Sequence, residues 1–255
     1  MLKLVLLLAV VGVGVQGCEM HNTIDWCAMQ QQFCDGREHI ACEPNTFKIA
    51  GDDVRNIQQV PMTADMKKML VDRHNMYRRR VALGEESKLA CASKMRQMTW
   101  DDNLAYTADA HAKHARYDHD SCHGFTDFPQ SGQNLAGYFV THPYANLTET
   151  AQNLVDVLYT GEMIALRDDA PSCIEKFSGS LECPRYGHFT IIVKDSNRAL
   201  GCAVYTFDKK YNGDWWYAIL LTCNYGDNNI MDAPIYAKGE PCSECTGACN
   251  NGLCA

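Results

Sequence analysis

The sequence predicts an α+β domain in which helices cover an antiparallel sheet. Three helical patterns come first along the chain, and a strand-rich segment follows them. That segment holds two long apolar and aromatic runs around Asn212-Gly213, and strand and helix do not alternate as they do in a parallel sheet. A length of 255 residues accommodates one large domain with small extensions.

The dipeptide Asn212-Gly213 is a strong signal for a tight hairpin turn. With these two residues at the centre of the turn, Cys202 lies directly opposite Cys223 on the neighbouring strand. Paired residues at that spacing are within reach of a disulfide. The sequence therefore predicts a Cys202–Cys223 bridge.

Upstream of the hairpin, the segment Gly187 to Lys194 is predicted to be another strand. Its apolar residues Phe189, Ile191 and Val193 alternate with Thr190 and Lys194. We expect this strand to join the same sheet.

The three helices are placed by their caps. Thr63 can cap a methionine-rich first helix that runs to about Val81. The second begins near Asp101-Asp102, whose carboxylates suit the positive amino terminus of a helix. The third begins near Thr148-Glu149.

The amino terminus has the pattern of a secretory signal peptide. Lys3 precedes the apolar run Leu4 to Val15, which is too short to span a bilayer, and cleavage after Gly17 is plausible. Mature protein would begin near Cys18 and be extracellular. No other run reaches membrane-spanning length.

The remaining chain keeps all 14 cysteines, an even number that indicates disulfides in an exported protein. Cys242-Ser-Glu-Cys245 has a spacing shared with zinc sites, but an oxidising compartment favours bridges. The sequon Asn146-Leu147-Thr148 predicts N-glycosylation at Asn146.

The formal net charge of -8 disfavours nucleic acid and anionic membrane surfaces as partners. Arg78, Arg79 and Arg80 form a basic run, which we interpret as a solvated helix end.

We divide the chain into four parts: residues 1–17 as signal peptide, 18–60 as a cysteine-rich extension, 61–236 as the main domain and 237–255 as a cysteine-rich tail. The tail is too short to bury a core and must be held by disulfides. It either packs locally or extends as an appendage.

Several ordered motifs resemble the CAP superfamily, which includes cysteine-rich secretory proteins, insect antigen 5 and plant pathogenesis-related proteins. They are Gly187-His188-Phe189-Thr190 with Gly201-Cys202, Leu221 to Tyr225 with Asn229-Ile230, His74-Asn75, and Gly132 to Leu135. The resemblance covers residues 63 to 236. It implies a three-layer α-β-α sandwich, which agrees with the predicted class.

The amino-terminal extension resembles the knot of insect antigen 5 proteins through Trp26-Cys27, Cys34 and His39 to Cys42. That resemblance implies Cys27–Cys42 and Cys34–Cys122 bridges. Ala115 stands where that branch usually has a cysteine, so one family bridge should be absent. The partners of the other cysteines remain open: Cys18, Cys91, Cys173, Cys183 and the four of the tail.

A polar cluster is expected where the third helix meets the sheet. Glu162 continues the apolar stripe of that helix, and His188 is a candidate neighbour for its carboxylate. The resemblance implies a central cleft of two histidines and two acidic residues, which match His119, Gln133, Glu162 and His188. Gln133 replaces the commonest residue, Glu, and removes one negative charge.

Two imidazoles can hold zinc with water in the open positions, so the cleft allows a zinc ion at His119 and His188, although none is required. Ile191 and Lys194 also depart from the family pattern and predict a more apolar cleft floor and a more basic rim. His111 and His114 share a helix, and His111 is interpreted as a core histidine.

The sequence lacks the Gly-x-Ser-x-Gly, phosphate-loop and His-Glu-x-x-His motifs of common hydrolases. We therefore predict a non-enzymatic secreted protein that binds a macromolecular partner in an insect fluid such as saliva, venom, haemolymph or seminal fluid. One alternative is a carrier of a sterol or fatty acid, lined by the methionine-rich helix. Another is a metal-dependent hydrolase that uses His119, Glu162 and His188.

Overall fold

The computed structural model describes residues 24–45, 51–164 and 170–255. The predicted signal peptide and Cys18 lie outside these ranges. Within them, no helix is both long and apolar enough to cross a membrane.

Helices and strands are mixed along the described part of the chain. They are α1 (Trp26–Phe33), β1 (Val54–Gln59), α2 (Ala64–Ala82), β2 (Thr99–Trp100), α3 (Asp102–Ala112), β3 (Gly132–Val140), α4 (Leu147–Ile164), α5 (Ala170–Glu175), α6 (Gly187–Val193), β4 (Ala199–Tyr211), β5 (Asp214–Tyr225), β6 (Cys249–Asn250) and β7 (Leu253–Cys254). Two 3-10 turns, Gly179–Leu181 and Cys183–Tyr186, lie between α5 and α6.

The hairpin β4–β5 forms the centre of the sheet. Asn212 and Gly213 connect the strands with φ angles of 50° and 93°, which a left-handed tight turn requires. Tyr211 pairs with Asp214, and the same register sets Cys202 opposite Cys223. The two cysteines are bonded, with Cα atoms 4.1 Å apart, as the turn predicted.

The main sheet has the order β1-β4-β5-β3, and these strands are antiparallel. The short β2 pairs with β4 in parallel. One face of the sheet packs against α3, and the other packs against α2, α4 and α6 through the main hydrophobic core. The expected three-layer α-β-α sandwich is confirmed.

The caps of α2 and α3 are those that the sequence indicated. The hydroxyl of Thr63 accepts from the Met66 amide at 3.2 Å, and the Asp101 carboxylate accepts from the amides of Asn103 and Leu104. A side chain at Gly201 could not be accommodated, because its Cβ would lie 2.0 Å from the amide nitrogen of Ala105. Glycine there lets α3 lie directly on the sheet.

The prediction of a strand after Gly187 is wrong, because this segment forms α6. Every residue from Phe189 to Val193 is buried, so its apolar pattern does not distinguish helix from strand. The Glu162 carboxylate decides the matter locally, since it accepts from the Phe189 amide at 2.8 Å and caps the start of the helix. Thr190 then donates its hydroxyl to the Tyr186 carbonyl, one turn back.

The interpretation of Arg78 as a solvated residue is also wrong. Its side chain is 0% exposed and donates five hydrogen bonds to four backbone carbonyls. These carbonyls belong to Arg96, Ile192, Lys194 and Asn197. Burial lowers the pKa of Arg78 to about 9, which leaves the guanidinium charged at neutral pH.

Six disulfides join described cysteines. They are Cys27–Cys42, Cys34–Cys122, Cys173–Cys183, Cys202–Cys223, Cys242–Cys249 and Cys245–Cys254. The first two are those implied by the antigen 5 resemblance. The last two occupy the Cys242-x-x-Cys245 pair and exclude it as a zinc site. Cys91 forms no bridge with another described cysteine.

The carboxyl-terminal tail packs on the main domain. The Cys254 amide donates to the Met95 carbonyl, and the Gln97 amide donates to the Cys254 carbonyl, each at 2.8 Å. Two bridges then hold the rest of the tail around this contact. The tail is therefore a fixed part of the surface.

Replacing Arg78 with methionine should lower the free energy of unfolding by about 4 kcal/mol or more. Methionine matches much of the volume, but the four backbone carbonyls lose their buried donors at about 1–3 kcal/mol each. Urea titration of the oxidised protein measures the loss. Arg79→Met is the matched control: Arg79 makes one exposed bond, to Asn251, so its loss should be below about 1 kcal/mol. Equal losses in the two variants would contradict the role assigned to Arg78.

Candidate functional site

Glu162 and His188 form one half of the expected cleft. Glu162 lies near the end of α4 and accepts from the His188 Nδ1 at 2.6 Å, while its second oxygen accepts from the Phe189 amide. The side chain of His188 is 44% exposed and that of Glu162 is 17% exposed. Glu162 thus orients the His188 imidazole through a hydrogen bond to its Nδ1.

His119 and Gln133 form the other half. The Gln133 Oε1 and the His119 Nδ1 are 2.8 Å apart, and the Gln133 Nε2 donates to Asp120 at 2.7 Å and to Asn224 at 3.1 Å. An open cavity of about 650 Å³ is lined by His119, Asp120 and Gln133, and Glu162 and His188 are not among its lining residues.

The two pairs contact opposite faces of the sheet. Gln133 and Asn134 are consecutive residues at the start of β3, so their side chains point to opposite sides. Gln133 faces the α3 layer with Asn224 and Thr107, while the Asn134 Nδ2 donates to the His188 carbonyl at 3.1 Å and to the Tyr225 hydroxyl at 3.2 Å. The start of β3 therefore separates the two pairs in space and connects them through the adjacent residues Gln133 and Asn134.

Asp120 and His123 form a buried ion pair that sequence reasoning missed. The His123 Nδ1 donates to Asp120 at 2.7 Å. Burial would raise the pKa of Asp120, but the attraction and hydrogen bond of His123 outweigh it and lower the pKa to about 2. Burial would likewise lower the pKa of His123, but the Asp120 carboxylate raises it. The only sequence signal was their three-residue spacing around Cys122.

His74 lies in the core beneath the face of the sheet that carries Asn134 and His188. Its Nδ1 bonds to the Leu70 carbonyl at 2.7 Å and its Nε2 to the Tyr225 hydroxyl at 2.9 Å. Burial lowers the pKa of His74 to about 4, so the ring is neutral at pH 7. A chain of hydrogen bonds runs from His74 through the Tyr225 hydroxyl and the Asn134 amide to the His188 carbonyl. It connects the backbone of His188 to the buried core.

The remaining sequence-predicted residues have mixed outcomes. Lys194 is buried, and its Nζ lies 3.8 Å from Asp227, so the expected basic rim is wrong at this position. Ile191 is buried and its Cδ1 abuts Gly132. His111 is a satisfied core histidine, with its ring nitrogens bonded to Thr222 and the Asp118 carbonyl.

The donor set does not suit a resident metal. Among the described residues, no three or more His, Cys, Asp or Glu side chains are grouped so that they could hold an ion. His119 and His188 belong to separate pairs, and zinc sites commonly use three or four protein ligands. The site provides a hydrogen-bonded pair of Glu162 and His188, of which the imidazole is the more exposed member. Ser131 is not available as its nucleophile, because the Ser131 hydroxyl donates to the Tyr225 carbonyl.

A three-layer sandwich that carries six disulfides and these paired residues beside β3 defines a class of cysteine-rich α+β domains. The model of the cysteine-rich secretory protein family, CAP, matches residues 71–225. The chain belongs to this family.

Its relatives include proteins named as venom allergens. Venom allergen-1 of Aedes aegypti is 30% identical over 88% of this chain and 86% of that protein. The antigen 5 like allergen Cul n 1 of Culicoides nubeculosus is 31% identical over 66% of this chain and 73% of that protein. The crystal structure of NaASP2 with Zn²⁺ shares the fold, with a TM-score of 0.58 and 24% identity over 76% of this chain and 96% of that one.

Changing Gln133 to Glu should destabilise the protein at pH 7 by about 1–3 kcal/mol. Asp120 is ionised there, and the change would replace an amide that donates to it with a second carboxylate at 2.7 Å. The loss should shrink toward pH 4 as the new carboxyl protonates. Urea titrations at both pH values measure it.

The control is a double-mutant cycle with Asp120→Asn. If repulsion between the carboxylates is the cause, Q133E should cost less in the Asp120→Asn background than in the wild type. An equal cost in both backgrounds would contradict the explanation.

Proposed function

We propose that this protein is secreted and acts, without catalysis, by binding a macromolecular partner in an insect extracellular fluid. The observation that carries the proposal is where its open cavities lie. Two of them are formed at the junctions between the main domain and its disulfide-linked extensions. Surfaces held by bridges lose little conformational entropy when a partner binds.

The carboxyl-terminal junction has a cavity of about 660 Å³. Arg96 and Arg198 line it from the main domain, and Glu244 and Thr246 line it from the tail. Positive side chains at Arg96 and Arg198 and a negative one at Glu244 are therefore available to a polar partner. The contact of Cys254 with Met95 and Gln97 keeps the two walls together.

The amino-terminal junction has the cavity that includes His119 and Gln133. Its outer wall is formed by Gln32, Phe33 and Arg37 of the extension, which the Cys34–Cys122 bridge fastens to the main domain. A partner at this junction would contact both the family's cleft residues and a segment outside the family match. The proposed partner surface would therefore extend beyond the segment that the family model matches.

The relatives named venom allergen and allergen favour an extracellular role, because venom is a secreted fluid. Six disulfides among the described cysteines favour an oxidising compartment. Both observations support export, which the predicted signal peptide would direct.

The alternative functions have less support. The methionines expected to line an apolar ligand site instead belong to the hydrophobic core. Met66 is buried in it, and Met69 and Met76 pack against it. A hydrolase would need a nucleophile or a metal beside Glu162 and His188, but His119, the second proposed ligand, is paired with Gln133 on the opposite face of the sheet.

The partner is tested by capture from the extracellular fluid on immobilised protein. We expect at least one protein to bind the wild type and to be lost, tenfold or so, in Arg96→Glu or Gln130→Arg, which alter one junction each. Lys68→Glu reverses an exposed charge on α2 and should bind like the wild type. Capture that is equal in all variants, or none, would contradict the proposal.

Native mass spectrometry of the protein from insect-cell medium separates the alternatives. We expect a mature chain that begins near Cys18, without a retained lipid and without a stable zinc adduct after zinc addition. A stoichiometric adduct that disappears in His119→Ala and His188→Ala would overturn the non-metal assignment, and a retained fatty acid or sterol mass would favour the carrier.

A further inference from the structure

A shallow groove opens next to the predicted glycosylation sequon. It has a volume of about 340 Å³ and lies where the start of α4 meets the outer end of β4 and β5. Pro143, Tyr144 and Leu147 line one side, and Tyr217 lines the other with 40% of its surface exposed. These four side chains give the groove an apolar floor at the surface of the protein.

Asn146 lies within the same loop and caps α4. Its Oδ1 accepts from the Glu149 amide at 3.1 Å, and its carbonyl accepts from the Thr150 amide at 3.0 Å. An N-linked glycan attaches to the Nδ2 atom, so glycosylation leaves the capping oxygen free to keep its bond. Asn146 and Thr148 are both exposed, which leaves room for a bulky glycan on the folded protein.

The groove has the chemistry that recognises sugars. Aromatic rings offer faces to the C–H side of a pyranose, and polar side chains at the edge bond to its hydroxyls. Asn56, Gln58 and Asp208 provide that polar edge, with the Asn56 Nδ2 donating to Asp208 at 2.7 Å.

The aromatic surface extends from Tyr217 along β5 toward the hairpin turn. Trp215 lies two residues before Tyr217 on β5, so both side chains are on the same face of the sheet, about 7 Å apart along the strand. The Arg55 guanidinium stacks 3.9 Å from the Trp215 ring and holds it in place. A short oligosaccharide that starts at Asn146 can therefore follow Tyr217 toward Trp215.

From these contacts we infer that Asn146 carries an N-linked glycan whose first sugars lie in the groove of Tyr144, Leu147 and Tyr217. The glycan is then part of the folded surface and covers an otherwise exposed apolar face. This inference rests on the secreted part of the proposed function, because N-glycans are added along the export route. It is independent of the partner and of the cleft residues.

The test compares wild type, Thr148→Ala and Thr148→Ser, each secreted from insect cells. Thr148→Ala destroys the sequon but keeps Asn146 and its cap, whereas Thr148→Ser keeps the sequon. Intact mass before and after enzymatic release of N-glycans should show a glycan on wild type and Thr148→Ser and none on Thr148→Ala. A secreted wild-type chain without a glycan would overturn the inference while leaving secretion intact.

Contact with the groove is measured by hydroxyl-radical footprinting of the same three proteins. Tyr217 should be oxidised several-fold faster in Thr148→Ala than in the wild type, because the sugars no longer shield it. Tyr211, at the hairpin turn and 62% exposed, is the internal control and should react equally in all three. A glycosylated wild type whose Tyr217 reacts as fast as in Thr148→Ala would show that the glycan extends into solvent, which overturns the groove contact.

Discussion

The buried guanidinium of Arg78 is the contact on which the arrangement of the site and of the tail depends. It holds the carbonyls of Ile192 and Lys194 at the end of α6, which fixes the helix that carries His188. The same group binds the Arg96 carbonyl, beside the segment that pairs with Cys254 of the tail. Because a single planar donor satisfies carbonyls of two separate segments at once, the segment at Arg96 and the connection from α6 to β4 cannot shift independently.

The sheet edge divides the cleft that family resemblance would treat as one site. Gln133 and Asn134 are neighbours in sequence but serve opposite layers, and each is satisfied by hydrogen bonds. Gln133 bridges His119 to the Asp120 carboxylate, whose pKa is lowered to about 2 by the attraction and hydrogen bond of His123. An amide at this position is therefore the residue that the local electrostatics require. The resulting network is suited to holding the edge of β3 in place, which is a structural role.

The two open junctions lie partly outside the segment that the family model matches. The family match ends at Tyr225, whereas the two open junctions involve the extension around Cys34 and the tail around Cys254. A shared fold does not by itself specify function, which depends on the residues of particular sites. Bridges make these surfaces rigid, since neither extension is large enough to bury a core of its own.

The sequence alone determined the features that depend on local geometry: the hairpin register from Asn212-Gly213, the Cys202–Cys223 bridge, the caps at Thr63 and Asp101, and the α+β class. Tertiary structure decided the rest, because burial and long-range partners are not encoded in local pattern. Phe189 to Val193 became a helix because Glu162 caps it from another element. Arg78 is buried because segments distant in sequence supply its acceptors. The cleft pairs are separated because consecutive residues of β3 point to opposite faces of the sheet, and those faces are defined only when β3 pairs with β5.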